Sequence, residues 1–249
     1  MSLLMMTFST VLLAAPTNKY NVLIAPGTLS ENSVTLLWDK QNSKEAMEYE
    51  IILNGKLQGS TAKTNFTIIN LKSATAYKAL VRIKGSRQGD AINFTTAAKG
   101  KIYNILDYGA KNDTAFKNTT AIQKAINACT TGGTVYIPRG IFISGALYLK
   151  SNMTLYIEKG GTLKGVTEVE DYLPMYLNRF EGWELKTYAS LLNAGTLNRN
   201  GSYNVKNLRI TGGGTISGGG KKLGNAMWTT GGERSRARLI CLVNCQDVS

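Results

Sequence analysis

The sequence predicts an all-β protein in two parts: a small β-sandwich, then stacked coils of parallel sheet preceded by a single helix. Three observations predict it. Between Tyr20 and Thr96, short strand-like segments recur with turn signals between them. After Lys101 the pattern changes, and L-x-I-x-x-G-G-T-[L/I]-x-G occurs twice, at 155–165 and 208–218. Between these regimes, one stretch alone carries apolar residues at helical spacing. The composition agrees with a folded chain: 43% of the 249 residues are hydrophobic and 18% charged. Gly is plentiful (26) and Pro scarce (4), which favours tight corners over Pro-rich linkers. The division expected is 1–19, an N-terminal leader; 20–98, the sandwich; and 99–249, the coils.

The leader "MSLLMMTFSTVLLAAPTNK" is apolar from Leu3 to Ala15. That run is too short to span a bilayer. It reads as the apolar region of an export signal without the usual basic start, or as an apolar N-terminus. The localisation expected from the first reading is secreted or periplasmic.

In the sandwich, "SVTLLWDK" (33–40) is β-rich and carries Trp38. "EYEIILNGK" (48–56) alternates and ends in Asn54-Gly55, a hairpin signal. "TNFTIINL" (64–71), "AYKALVRIKG" (76–85) and "AINFTT" (91–96) follow. Five or more strands at this spacing imply a sandwich. These residues resemble a fibronectin type III domain over about 75 positions. Trp38 falls where that family keeps a core tryptophan. Leu71 to Tyr77 resembles its L-x-P-x-T-x-Y corner, with Ala74 in the place of the proline. The resemblance implies that the Tyr77 hydroxyl bonds back to the main chain.

In the second part, Ala121, Ile122, Ala125, Ile126 and Cys129 mark an amphipathic helix. Thr120 with Gln123 reads as its capping box, with Asn118 as the rival N-cap. The coil strands then repeat. "LYIEKGGTLKG" aligns with "LRITGGGTISG", Leu155 matching Leu208. "VYIPRGIFISG" (135–145) shares the first strand and the closing Gly, and "LICLVNC" (239–245) shares only the strand. A fixed strand element with inserts of varying length is the pattern of a solenoid with loops on one face. The inserts 166–202 and 219–237 should therefore wall one groove. The run "GGGTISGGGKK" is not a phosphate loop. Thr215 stands where that motif needs Gly, and no helical pattern follows.

Composition excludes several chemistries. There is no His, so no His base, His metal site or Ser-His-Asp triad can form within this chain. Cys129, Cys241 and Cys245 are neither a disulfide framework nor a zinc pattern, and read as small buried residues. No metal or other cofactor is expected. Net charge is +13, shared by both parts, which suits an acidic partner. No nucleic-acid motif or basic stripe accompanies it.

Four segments of the second part, "DYGAKND…NTTAIQKAINAC", "GGTVYIPRGIF", "GTLKG…DYLPMYLNRFEGWE…YASLLNA" and "NLRITGGGTISGGG", resemble the start of pectin-degrading right-handed parallel β-helices. The nearest family is glycoside hydrolase family 28, the polygalacturonases. An N-terminal fibronectin-like module is a feature of its bacterial exo-acting members. The resemblance implies an inverting hydrolase of α-1,4-galacturonosyl bonds in pectin, needing no metal. Inversion places two carboxyl groups roughly 6.5–9.5 Å apart to admit water. That family supplies them from N-T-D and D-D segments, helped by G-H-G and R-I-K. N-T-D, D-D and G-H-G do not occur here, and the R-I-K at Arg82–Lys84 lies in the sandwich rather than the coils. The six Asp (39, 90, 107, 113, 171 and 247) include no adjacent pair.

This chain therefore reads as the N-terminal portion of such an enzyme, without catalytic residues and inactive alone. Glu168, Glu170, Asp171, Glu181 and Glu184 read as solvated loop acids. The residues expected to bind substrate are Arg179, Trp183, Trp228 and Arg236. Arg234 and Arg238 offer the same guanidinium fork for galacturonate carboxylates, and tryptophans suit sugar faces. The partner expected is polygalacturonate or pectin, with self-association through an uncapped C-terminal coil. The alternatives are a non-catalytic binding protein for acidic polysaccharide, a structural β-helix, and a calcium-dependent pectate lyase.

Overall fold

The computed structural model describes residues 20–41, 47–232 and 235–249. The leader 1–19, read as an export signal, and Arg234 lie outside them. The chain divides into two compact units. One holds Thr35–Ile68 and Ala76–Thr95. The other holds Thr96–Ser249 with Ala25–Val34 and Ile69–Thr75.

The sandwich has seven strands: β1 (Leu23–Ile24), β2 (Val34–Leu37), β3 (Tyr49–Leu53), β4 (Lys56–Thr61), β5 (Asn65–Ile68), β6 (Ala76–Ile83) and β7 (Gly89–Thr95). They form sheets β1-β2-β5 and β4-β3-β6-β7, with antiparallel neighbours. Alternation puts Val34 and Leu36, then Tyr49, Ile51 and Leu53, into the core. Trp38 is buried there, its ring edge-on to Tyr49 at 5.4 Å. Asn54 and Gly55 both have positive φ (47° and 80°), as the two-residue hairpin requires. The sequence reading missed β1, which has two residues, and β4, whose "KLQGST" has no buried face.

At the corner before β6, Tyr77 stacks on Phe94 at 5.6 Å. The main chain there is held by Thr96, whose Oγ1 accepts from Thr75 N at 2.9 Å and donates to the Lys72 carbonyl at 2.6 Å. Ala74 has φ +47°, which proline cannot adopt. Counted from Leu71 along L-x-P-x-T-x-Y, the proline position is Ser73 and not Ala74 as expected, and the φ of Ala74 agrees.

The second unit is a parallel β-helix. Its first strand, β8 (Ile102–Asn104), is followed by helix α1 (Thr119–Ala128). The first coil is β9 (Gly133–Ile137), β10 (Gly140–Ser144) and β11 (Leu147–Leu149). β12 (Met153–Ile157) and β13 (Gly161–Gly165) open the second coil. An antiparallel hairpin, β14 (Tyr176–Phe180) and β15 (Trp183–Thr187), interrupts it before β16 (Leu192–Ala194) completes it. The third coil is β17 (Val205–Gly212), β18 (Thr215–Ser217) and, after helix α2 (Gly220–Gly231), β19 (Ile240–Leu242). β20 (Cys245–Val248) begins a fourth. Three sheets result: β20-β17-β12-β9-β8, β10-β13-β18 and β11-β16-β19. Alternate residues point inward, and Val135, Ile137, Phe142, Leu147, Leu155, Leu163 and Leu192 form one core.

α1 closes the first coil with Ile122, Ala125 and Ile126 on that core. The capping box does not form. Asn118 is the N-cap, and its side chain binds Lys111 instead, accepting from N at 2.7 Å and donating to O at 3.1 Å. Gln123 bonds the main chain of Tyr148, accepting at 2.9 Å and donating at 3.0 Å. It thereby satisfies the free edge of β11, a tertiary demand that outweighs the local cap. Asn112 does the same for β10 by accepting from Ile141 N at 2.8 Å, and β8 covers β9. All three sheets are thus blunted at this end.

The repeat alignment needs two corrections. Thr162 pairs with Thr215 as aligned, but Leu155 pairs with Ile210, and Leu208 lies beside Met153. A slip of two residues keeps the same faces inward, so alternation cannot detect it. In addition, "LICL" belongs to the third sheet, Ile240 beside Leu192, and the partner of Leu208 is Val248. Four apolar letters carry no register of their own.

A column of left-handed residues marks the turn into the first sheet. Gly132, Asn152, Asn207 and Asp247 occupy successive rungs with φ of 76°, 59°, 54° and 54°. Asn207 Nδ2 donates to Asn152 Oδ1 at 2.8 Å. Asn and Asp tolerate this conformation best after Gly.

Candidate functional site

Both inserts leave the coil at the same corner, between the second and third sheets. In the first coil that corner is only Gly145-Ala146. In the second it carries the β14–β15 hairpin, and in the third α2. The sequence expectation of inserts on one side is met, with shorter bounds, because Leu192–Ala194 is a rung of the coil. The expectation that no helix follows the glycine run is overturned by α2. Its buried face is only Leu223, Gly224 and Met227, and its glycines depress helix propensity, so periodicity concealed it.

The hairpin lies over the outward row of the third sheet, Tyr148–Asn193–Cys241. Tyr176 OH donates to Asn193 Oδ1 at 3.1 Å, and Asn193 Nδ2 donates to the carbonyls of Ser190 (2.7 Å) and Leu147 (3.1 Å). Asn178 Nδ2 meets Thr187 Oγ1 at 3.3 Å and Cys241 Sγ at 3.2 Å. This buried polar layer fixes the hairpin on the sheet. Burial, and then the bond to Cys241, push the Tyr176 hydroxyl pKa upward. Sequence reading missed Asn178 and Asn193, since Asn in a short strand looks like a turn residue.

Beyond Cys241 the surface opens into a groove of about 770 Å³, lined by Asn178, Arg179, Arg238 and Asn244 among others. Arg238 also lines a second cavity of about 380 Å³, between the coil and α2, with Tyr172, Leu223, Met227 and Arg236. The Arg238 guanidinium lies 4.9 Å over the Phe180 ring, and Nη1 donates to the Arg179 carbonyl at 3.2 Å. Arg179 pairs with Glu184 at 2.9 Å, and Arg199 pairs with the same carboxylate at 2.7 Å. These two arginines hold Glu184 below its ordinary pKa. Arg236 and Arg238 have no carboxylate partner among the described residues.

Of the four residues expected to bind substrate, Arg179 and Arg236 line cavities and the tryptophans line neither. Trp183 sits at the hairpin tip opposite Phe180, and Trp228 on the outer side of α2, 60% and 55% exposed. The acids do not assemble into a hydrolytic pair. Asp171 pairs with Lys117 at 2.6 Å, Glu184 is doubly paired, and Glu181 is in the hairpin turn with φ +49°. No group of three His, Cys, Asp or Glu among the described residues could hold a metal ion. No helix among them is long and apolar enough to cross a membrane.

Comparison with known proteins gives four findings. The family model for rhamnogalacturonase A/epimerase, pectate lyase-like, matches residues 102–229. An exo-poly-alpha-D-galacturonosidase of Dickeya chrysanthemi is 35% identical over 251 residues, covering 86% of this chain and 41% of that protein. The structure of the Yersinia enterocolitica family 28 exopolygalacturonase superposes with a TM-score of 0.80 at 26% identity, over 92% of this chain and 53% of that one. Alginate lyase 7 of Azotobacter vinelandii shares 32% identity over 120 residues, 44% of this chain and 12% of that protein. The chain spans about half the length, or less, of these relatives. The likeness to family 28 read from the sequence is thus borne out, and the chain belongs to the rhamnogalacturonase A/epimerase, pectate lyase-like family.

Proposed function

We propose that this chain is the N-terminal portion of an exo-acting polygalacturonase, a hydrolase of α-1,4-galacturonosyl bonds of pectin, acting in the periplasm or outside the cell. One observation carries the reading: the 35% identity to an exo-poly-alpha-D-galacturonosidase runs through 86% of this chain. The role assigned to this portion is to present substrate-gripping groups. Both hydrolytic carboxyls belong to coils beyond those described here, and the chain alone does not hydrolyse. The absence of His and the pairing of Asp171 and Glu184 support that assignment.

The experiment is incubation of the purified chain with polygalacturonate. Salt-sensitive binding without release of reducing ends is expected. Hydrolysis by this chain would overturn the assignment of the carboxyls, and failure to bind would overturn the substrate. A second reading, a non-catalytic binder of acidic polysaccharide, is favoured by the net charge of +13 and by Arg236 and Arg238, which have no carboxylate partner among the described residues. It requires that extending the chain add no hydrolytic activity.

The chain is further proposed to self-associate through its last coil. β18, β19 and β20 are outermost in their sheets, and Ile210, Ile216 and Ile240 are only partly buried. Elution on size exclusion should move earlier as concentration rises. A position independent of concentration would refute it.

A further inference from the structure

We propose that the cavity between α2 and the coil is a carboxylate-reading subsite, in which Arg236, seated on Gly224, binds the carboxylate of a hexuronate unit. The inference rests on the polygalacturonate reading above and adds a place and a set of groups to it.

Three observations lead there. First, Arg236 and Arg238 alternate along one extended segment, both exposed and both on the rim of the 380 Å³ cavity. The paired arginines Arg82, Arg179 and Arg199 each spend their charge on a glutamate. Among the described residues Arg236 and Arg238 have no such partner, and none that lines the cavity is a carboxylate. The first turn of α2 adds Lys221 and Lys222 and no acid, so the charges on the described rim are positive.

Second, the Arg236 guanidinium has a built seat. A Cβ on Gly224 would stand 2.7 Å from Nε and 3.0 Å from Cζ, closer than side chains approach. Gly224 is buried in mid-helix, where Gly costs about 1 kcal/mol relative to Ala. The close approach of the guanidinium gives that glycine a reason. Third, the cavity is amphipathic, with Tyr172, Leu223 and Met227 beside the charged rim. A uronic acid has the matching form: an apolar ring face and one carboxylate, which a planar guanidinium holds by two parallel hydrogen bonds. The volume lies in the range of small-ligand sites.

The test measures binding of trigalacturonate, and of its fully methyl-esterified form, to the whole chain by calorimetry. The acid form should bind and the ester should bind about 10- to 100-fold more weakly, the usual weight of a charge-assisted contact. Arg236→Ala should lower affinity for the acid by a similar factor, with little effect on the ester. Gly224→Ala should do the same without changing any charge. Lys164→Ala removes an equal charge from the exposed face of β13 and should leave binding as it was.

Arg236 is exposed, so its variant keeps the fold, and a circular-dichroism melt compares all variants. Equal binding of acid and ester, or an Arg236→Ala chain that binds like the unaltered one, overturns the subsite. If the unaltered chain still binds polygalacturonate in that case, the functional reading stands and only this site falls. If it binds neither trigalacturonate nor the polymer, both fall.

Discussion

Asn207→Ala should loosen the first sheet of the coil by an amount that Asn207→Gly does not. Asn207 is in β17 with φ +54° and donates to Asn152 at 2.8 Å across the rungs. Alanine loses that exposed bond, about 0.5–1 kcal/mol. It also carries the full cost of the left-handed conformation, about 1–2 kcal/mol. The sum is about 1.5–3 kcal/mol. Glycine loses the bond but is at ease at this φ, so its cost is about 0.5–1.5 kcal/mol. Amide hydrogen exchange over Met153–Ile157 and Val205–Gly212 reports the difference locally. Exchange should speed up roughly 10- to 150-fold for alanine and about 2- to 10-fold for glycine. If the two variants exchange alike, or glycine is the faster, the column of left-handed residues does not hold the turn and the reasoning fails.

Two further outcomes follow from the geometry. Gly212→Ala should prevent the third coil from forming. The residue has φ +121°, and a Cβ would lie 2.0 Å from the Ile157 carbonyl oxygen, so the coil's exchange protection should vanish while the sandwich keeps its own. Glu184 has a folded pKa below its ordinary 4.5, first through Arg179 and then Arg199. Its contribution is therefore complete above pH 4.5 and is lost as pH falls through the folded value. Exchange across Tyr176–Thr187 should rise in that acid range, and Glu184→Gln should remove the pH dependence. Unchanged protection down to pH 3 would count against the pairing.

The sandwich and the coils were legible in the sequence because each announces itself by alternation. Tyr49–Leu53 and Met153–Ile157 both bury every second residue. Register was legible only in part. Thr162 and Thr215 were aligned correctly, whereas Leu155 and Leu208 were not, since a two-residue slip leaves the inward pattern intact. α2 was concealed by Gly220, Gly224 and Gly231, and the structure supplies a packing reason for Gly224 in Arg236. The buried layer of Tyr176, Asn178, Asn193 and Cys241 could not have been read from the chain. Its members are 63 residues apart at the extremes of one contact, Asn178 to Cys241, and meet only after two coils have stacked.

The shared exit corner of the hairpin and α2 separates two kinds of change. Pairing between rungs is set by the strands of the coil, whereas the hairpin and α2, each walling one side of a cavity, arrive from a single edge. An insert there can be lengthened, shortened or exchanged between relatives without disturbing a ladder bond. The surface that walls the cavities can thus be changed by replacing one insert, with the cross-section of the coil left untouched.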